Sequence, residues 1–298
     1  MLNIGRTAST IFTFLILTFS KNCLASPQLP DYVIYKTDTL PVYNLILEQY
    51  LEKLNKSENG SLFGLKFRDG ASLNCWRGYQ AIYLLSHDSL FLTDIIACGE
   101  RSSGHAIDGQ ASRQRVRDLF NGKVVNNKVF LNWYSGEFSL PKGDLLRWDG
   151  VFHKTFEQEI LIQVDNGKVT HTSEIENYLD HPKRLNRRYT DTISNVLFKR
   201  LERLKWKTIG RFDCSEKYII TIGTNGRVSK VSMVDYQTAE EIDKLWERTE
   251  YNYCINTIQN GLRRLKFDIV KEGNRPIEED IYLQIWFEEN GRLVNLTN

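Results

Sequence analysis

The sequence has little proline and no long apolar tract beyond its first residues. Only six prolines are scattered over 298 residues, so the chain has no proline-rich spacer. After residue 25, no segment is apolar enough to cross a bilayer as a helix. The hydrophobic fraction of 41% and the charged fraction of 26% are those of a globular protein. These features exclude a disordered chain and predict no membrane-spanning helix in the mature protein.

The sequence also lacks the common catalytic and metal-binding motifs. It contains no Gly-x-Ser-x-Gly, Walker or His-Glu-x-x-His element. None of its five histidines lies three to five residues from another histidine or a cysteine, so neither a metal site nor a cofactor is predicted. His105, in a loop with Ser102 and Asp108, is the one catalytic candidate, although adjacent loop residues do not form a triad. Glu157 and Glu159 share one face of a predicted strand and are expected to face water.

The first 25 residues have the pattern of an export signal. Arg6 supplies a positive start, residues 11–19 form a short apolar core, and Lys21 closes it. Small residues before Ser26 predict cleavage after Ala25. The alternative is an uncleaved membrane anchor, for which the apolar core is short. The sequence therefore predicts a periplasmic or secreted protein.

Cleavage leaves a chain with no net charge. Taking Arg6 and Lys21 from the 39 basic residues leaves 37, which equals the number of acidic residues. A global attraction to nucleic acid or to anionic lipid is therefore not predicted, and nucleic acid is not expected as a partner.

Four cysteines remain in the mature chain, and an even number in an oxidising compartment favours two disulfides. We predict the pairs Cys75–Cys98 and Cys214–Cys254, because a hairpin centred on residues 86 and 87 would set Cys75 opposite Cys98. The alternative is four reduced, buried cysteines that act as small apolar residues.

Turn residues between apolar stretches predict antiparallel hairpins. Residues 75–85 and 90–98 flank a Ser-His-Asp-Ser turn, and Asn-Gly pairs at 166–167, 225–226 and 290–291 each separate two apolar stretches. An Asn-Gly pair suits a two-residue type I′ turn. The registers that follow from such turns pair Val164 with Val169, Ile220 with Val231, Tyr218 with Met233, and Phe287 with Val294.

Apolar spacings of three and four predict helices at residues 41–55, 111–120, 190–206 and 239–266. Helices packed on antiparallel hairpins define an α+β fold. We expect an N-terminal α+β region at residues 26–182 and a C-terminal region at 183–298, in which a basic helix precedes a sheet packed by the long helix.

The C-terminal region runs as strand, Asn-Gly turn, strand, long helix and strand. Its pieces are YIITI at 218–222, NGRV at 225–228, a helix ending in LRRLKF at 262–267, and an apolar strand at 281–287. This succession over residues 217–298 resembles the C-terminal domain of TonB-type energy transducers. The resemblance implies a strand-strand-helix-strand-strand module whose sheet edge accepts an extended peptide from a partner. The alternative is that the fold serves only as a packing module.

Basic residues are concentrated in residues 183–211, where ten of them face only Asp191 and Glu202 as acids. One interpretation is a surface for anionic lipid, polysaccharide or an acidic partner. The other is a solvated helix face whose aliphatic stems cover apolar surface. The residues assigned to this predicted basic patch are Arg184, Arg187, Arg188, Lys199 and Arg203.

These observations lead to a hypothesis of function. We expect a non-enzymatic protein of the cell envelope that binds a protein or peptide partner through an edge strand. The alternatives are a secreted hydrolase with its site near His105 and a purely structural envelope protein. A pocket that joins His105 to a carboxylate and a nucleophile would favour the hydrolase, whereas an open sheet edge would favour binding.

Overall fold

A computed structural model describes residues 27–54, 72–102, 106–206, 212–236 and 238–297. The predicted signal and its cleavage site lie outside the described residues. Helices combine with mostly antiparallel sheets, so the predicted α+β class is confirmed. The elements of the first part are β1 (Asp31–Tyr35), β2 (Asp38–Val42), α1 (Ile46–Lys53), β3 (Tyr79–Ser86), β4 (Ser89–Ala97), α2 (Gly109–Phe120), β5 (Val129–Phe130), β6 (Gly136–Trp148), β7 (Lys154–Asp165), β8 (Lys168–Glu176) and β9 (Tyr178–Leu179).

The first part is built on one sheet with the strand order β2-β1-β3-β4-β8-β7-β6, in which β5 also pairs with β4. The pair of β1 and β3 is parallel. Alternate residues of the strands point inward, and α1 and α2 cover them. The resulting core includes Leu47, Tyr83, Leu92, Val116 and Phe138.

The second part is a smaller sheet covered by helices on one face. The elements are α3 (Thr190–Leu201), β10 (Glu216–Ile222), β11 (Val228–Met233), α4 (Ala239–Leu245), α5 (Arg248–Leu262), β12 (Ile269–Glu272), β13 (Arg275–Pro276), β14 (Glu279–Phe287) and β15 (Leu293–Asn295). The strand order of the sheet is β11-β10-β14-β15, and its core includes Ile193, Leu197, Cys254, Ile258 and Leu283.

Strand pairing also joins the two parts. β9 pairs with β12, and a small apolar cluster of Leu146, Tyr178 and Val270 packs around this pairing. β9 comes before residue 182, so a strand of the predicted N-terminal region pairs with a strand of the C-terminal one. The division at residues 182 and 183 stays a prediction.

Both predicted disulfides are present. The Cα atoms are 6.0 Å apart in Cys75–Cys98 and 5.5 Å apart in Cys214–Cys254. Disulfides of this kind are typical of proteins that fold in an oxidising compartment. None of the helices within the described ranges is long and apolar enough to cross a membrane.

The hairpin register from which the Cys75–Cys98 disulfide was predicted is wrong. The turn of the β3–β4 hairpin is at His87 and Asp88, which both have positive φ, so Leu85 faces Leu90 and the register differs from the predicted one by two residues. Cys75 lies in a turn before β3, where its C=O accepts from the Gly78 N–H, and the bridge runs from this turn to the end of β4.

The three Asn-Gly turns behave differently. At Asn166-Gly167 both residues have positive φ, and Val164 faces Val169 as predicted. At Asn225-Gly226 only the glycine has positive φ, and the loop has three residues where the predicted turn has two. A bulge after Thr221 compensates for the extra residue, so the predicted pairs of Ile220 with Val231 and Tyr218 with Met233 are confirmed.

The predicted register of the hairpin at Asn290-Gly291 is wrong by one residue. Glu288 N–H donates to Arg292 C=O across a three-residue loop in which only Gly291 has positive φ. No bulge compensates in this hairpin, so Phe287 faces Leu293 and not Val294.

The long helix predicted at residues 239–266 is interrupted: α4 ends at residue 245, and α5 begins at residue 248.

Candidate functional site

Within the part of the chain that the structure describes, one edge of the second sheet is open along the first residues of β14. Successive residues of a strand direct their backbone groups to opposite sides. The Phe287 N–H donates to Ser215 Oγ on the β10 side (2.9 Å), whereas the Gln284 C=O accepts from the chain after β15 (2.9 Å). By this alternation, Asp280 and Tyr282 direct their N–H and C=O groups away from β10 and toward the side of β15.

The partner strand β15 is too short to reach these two residues. It pairs only with residues 285–287 of β14, and beyond it the Thr297 hydroxyl accepts from the Gln284 N–H (2.8 Å). In the described part of the chain, no donor or acceptor meets the outward backbone groups of Asp280 and Tyr282. Both residues are exposed. Their backbone groups are therefore free to pair with another extended chain.

A groove of about 400 Å³ runs beside this open edge. The N-terminal half of α3 forms the opposite wall. Asn195 Oδ1 accepts from Asn295 Nδ2 at 3.1 Å, which holds this wall against β15. We call this space the β14 groove; its lining residues are Thr190, Asp191, Ser194, Asn195, Asp280, Ile281, Tyr282 and Thr297.

The local sequence explains why β14 keeps its place at the groove. Ile281, Leu283 and Ile285 are buried against the helices and alternate with residues that are exposed or half-buried. This alternation fixes which face of β14 is buried, and pairing with β10 leaves only the outer edge open. The edge is therefore held by the core of the sheet.

Charged side chains fix the first residue of β14. Glu279 Oε2 accepts from Arg187 Nε at 2.8 Å and from Arg147 Nη2 at 3.0 Å. The Arg187 side chain is 0% exposed, and burial lowers its pKa while the charge of Glu279 opposes this shift. Two guanidinium groups on one carboxylate form strong, directional hydrogen bonds, so the start of the groove is held in position.

The sheet face opposite the helices carries exposed apolar side chains next to the β14 groove. Tyr282 is 37% exposed, Trp286 is 50% exposed and Leu296 is 44% exposed. The Tyr282 hydroxyl donates to Gln284 Oε1 at 2.9 Å. Aromatic side chains at a sheet edge give a bound strand apolar contact in addition to backbone hydrogen bonds.

The predicted basic patch is not one exposed surface. Arg187 is buried on Glu279, and Arg188 donates to Glu157 and Asp180. Arg184 Nη1 is directed to the Phe267 C=O (3.4 Å). Only the remaining two members are exposed: they are Lys199, on α3, and Arg203, just after it. The sequence did not show that two consecutive arginines hold the two parts of the molecule together.

The catalytic candidate His105 lies outside the described residues. Of its neighbours, Asp108 accepts from the N–H groups of Gln110 and Ala111, which makes it the N-cap of α2. These hydrogen bonds lower the pKa of its carboxyl group. The Ser102 hydroxyl donates to the Gly99 C=O (3.0 Å). Both neighbours therefore have local structural roles.

A second cleft of about 400 Å³ lies where the β12–β13 hairpin covers β6 and β7. The prediction that Glu159 faces water is wrong, because it is buried at this cleft and burial raises the pKa of its carboxyl group. His153 Nε2 is 2.6 Å from Glu272 Oε1 at the same cleft. Ser139 also lines this cleft, and its side-chain hydrogen bond to Glu159 opposes the rise in the pKa of that carboxyl group. The described ranges contain no cluster of three metal-ligating side chains that could hold an ion.

Comparison of the chain with protein-family models, with curated proteins and with solved structures finds no match. The geometry of the β14 groove therefore carries the functional argument.

Proposed function

We propose that this chain is an exported, non-enzymatic protein of the cell envelope that binds an extended segment of a partner protein along β14. The observation that supports this proposal is the open edge, where the N–H and C=O groups of Asp280 and Tyr282 have no partner among the described residues. In strand addition, such groups supply the affinity, and the side chains around them supply the specificity.

The bound segment would continue the line of β15 in the antiparallel direction. Tyr282 and Asp280 would each exchange two hydrogen bonds with the residue facing them. Between these two positions, one side chain of the segment would point toward α3, near Ser194 and Asn195. Its neighbours would lie on the open face beside Tyr282, where apolar side chains are already exposed.

The opposite edge of the same sheet is a poorer binding site. Val234 N–H donates to Lys217 C=O, so the alternation directs the backbone groups of Val231 and Met233 outward from β11. These two residues are buried, with Met233 0% exposed. A guest strand would first have to displace the atoms that cover them. The β14 edge requires no such displacement because Asp280 and Tyr282 are exposed.

Three features support export to the envelope. The two disulfides are typical of an oxidising compartment. Residues 1–25 have the composition of a cleavable signal. Residues 217–298 resemble the C-terminal domain of TonB-type energy transducers, a resemblance that implies an edge-binding role. We propose a periplasmic or secreted location on these grounds.

Substitution Tyr282→Pro tests the binding mode. Proline removes the outward N–H and leaves the pairing with β10 intact, because the β10 side uses the neighbouring residues of β14. Peptides would first be selected from a random library on the mature, disulfide-bonded protein. We expect them to bind the variant about tenfold more weakly or worse, since one hydrogen bond is lost and the ring obstructs the edge. Fluorescence anisotropy measures the affinity.

Tyr282→Thr is the matched control, because it removes the same aromatic ring and keeps the backbone N–H. It should retain a larger share of the affinity than the proline variant. Thermal unfolding of both variants confirms that they are folded. Selected peptides that bind Tyr282→Pro as tightly as they bind the unmodified protein would contradict strand addition at β14.

A further inference from the structure

A second groove, at the other end of α3, is strongly basic. It has a volume of about 560 Å³ and lies between the C-terminal ends of α3 and α5. We call it the basic groove. Its four cationic residues are Arg200, Lys205, Arg263 and Arg264, and its polar residues are Tyr253, Asn256, Thr257 and Asn260. Among the described residues, no acidic side chain lines it.

Close approach of α5 and the end of α3 forms the floor of the basic groove. A Cβ atom at Gly261 would lie 2.5 Å from Leu204 Cδ1, so glycine at this position lets the two segments meet. Arg200 Nε donates to the Gly261 C=O at 3.2 Å. This hydrogen bond fixes the Arg200 guanidinium at the junction of the two segments.

The C-termini of the two helices explain only part of the positive charge in the basic groove. Basic side chains are favourable at helix C-termini, where free carbonyl groups concentrate negative potential. Arg200 satisfies one such carbonyl through its Nε atom alone. Among the described residues, none of the four cationic side chains forms a salt bridge, in contrast to Arg187 and Arg188. Four cationic residues therefore line one groove with no acidic partner in the described chain, and an anion would relieve the repulsion between their charges.

We infer that the basic groove binds a phosphate-bearing ligand. Guanidinium groups present paired N–H donors that match the oxygens of phosphate, and three of the four cationic residues are arginines. Asn256, Thr257 and Asn260 add neutral hydrogen-bonding groups that suit the hydroxyls of a sugar or polyol next to the phosphate. The groove shares no lining residue with the β14 groove, so this inference does not depend on the proposed function.

The ligand could be a soluble sugar phosphate or the headgroup of a lipid, and two probes separate these sources. Glucose 6-phosphate would be titrated into the mature protein by NMR. Phosphatidylcholine vesicles containing phosphatidylinositol 4-phosphate would be tested by co-sedimentation against vesicles of phosphatidylcholine alone. Binding of glucose 6-phosphate supports a soluble ligand, and binding only of the phosphoinositide vesicles supports a lipid headgroup.

The variant Arg263→Ser/Arg264→Ser removes two charges from the basic groove. We expect it to weaken binding of the probe by about tenfold or more, since charge-assisted hydrogen bonds to phosphate are lost. Lys199→Ser/Arg203→Ser is the matched control, because it removes the same charge from two exposed residues, on α3 and just after it, that do not line the groove. It should change affinity by less than about twofold.

Two results would overturn the inference. The first is that neither glucose 6-phosphate nor the phosphoinositide vesicles bind the unmodified protein at low ionic strength. The second is an equal loss of binding in the two double variants, because that would show attraction to overall charge and no specific groove. Thermal unfolding would confirm that both variants fold.

Discussion

Replacing Arg77 by methionine is expected to lower the free energy of unfolding by about 3–5 kcal/mol, the usual consequence of removing one partner of a buried ion pair. Arg77 Nη1 lies 2.7 Å from Asp31 Oδ1, and the two side chains are 2% and 1% exposed. Asp31 also accepts from the Ala81 N–H and the Tyr83 hydroxyl. Without Arg77, a carboxylate would remain in the core with no compensating charge.

The pH dependence of this variant has a defined sign. Burial raises the pKa of Asp31, and the charge of Arg77 opposes that shift. The substitution removes the opposing charge, so the folded-state pKa rises further above the unfolded value. A raised carboxyl pKa stabilises the protein at low pH, and the stabilisation is lost as pH rises through the folded pKa. The loss in free energy of unfolding caused by Arg77→Met should therefore be larger at pH 7 than near pH 4.

Urea unfolding followed by circular dichroism measures both effects. Lys142→Met is the control, because it breaks the exposed pair with Glu174, whose side chains are 45% and 68% exposed. That variant should lose much less stability than Arg77→Met, because water screens an exposed ion pair. A second control, Asp31→Asn/Arg77→Met, also removes the Asp31 carboxylate that Arg77→Met leaves unpaired. It should recover part of the lost free energy of unfolding. An Arg77→Met variant no less stable than Lys142→Met would contradict the buried-pair account.

Removing the Cys214–Cys254 disulfide should cost about 4 kcal/mol, because a bridge across 40 residues strongly restricts the unfolded chain. Both cysteines are buried, and the bond ties the segment before β10 to α5. The paired variant Cys214→Ala/Cys254→Ala would be compared with Cys75→Ala/Cys98→Ala, whose bridge spans 23 residues. We expect the first variant to lose more stability in urea unfolding.

Thiol titration provides the control for this comparison. The mature protein, unfolded without reductant, should show no free thiol, and each paired variant should show none either. Four reactive thiols in the unmodified protein would contradict both disulfides. A Cys214→Ala/Cys254→Ala variant that is as stable as the unmodified protein would contradict the structural role assigned to this bridge.

Local patterns in the sequence predicted the sheet faces well. The alternation of Ile281, Leu283 and Ile285 identifies the buried face of β14. Both predicted cysteine pairs are confirmed, although the hairpin register from which Cys75–Cys98 was predicted is wrong. The register of the last hairpin could not be predicted from Asn290-Gly291, because the same dipeptide occurs in loops of two and of three residues. At Asn225-Gly226 the predicted register is correct because a bulge offsets the extra residue of the loop, and no local sequence signal marks that bulge.

Features that depend on residues far apart in the chain were not predicted from the sequence. The β14 groove arises because β15 stops short while α3, about a hundred residues earlier in the chain, forms the other wall. The basic groove likewise combines Arg200 on α3 with Arg263 and Arg264 after α5. Residues 262–267 contain three basic residues, and this cluster was a signal that could have linked the end of α5 to the basic end of α3.

Backbone hydrogen exchange at β14, measured by NMR, tests the central claim most directly. In the free mature protein, the amides of Ile281 and Leu283, which point to β10, should exchange slowly, and those of Asp280 and Tyr282 should exchange rapidly. Adding a library-selected peptide should slow exchange at Asp280 and Tyr282. Slow exchange at these two amides in the free protein, or protection only elsewhere when the peptide binds, would contradict an open edge that captures a partner strand.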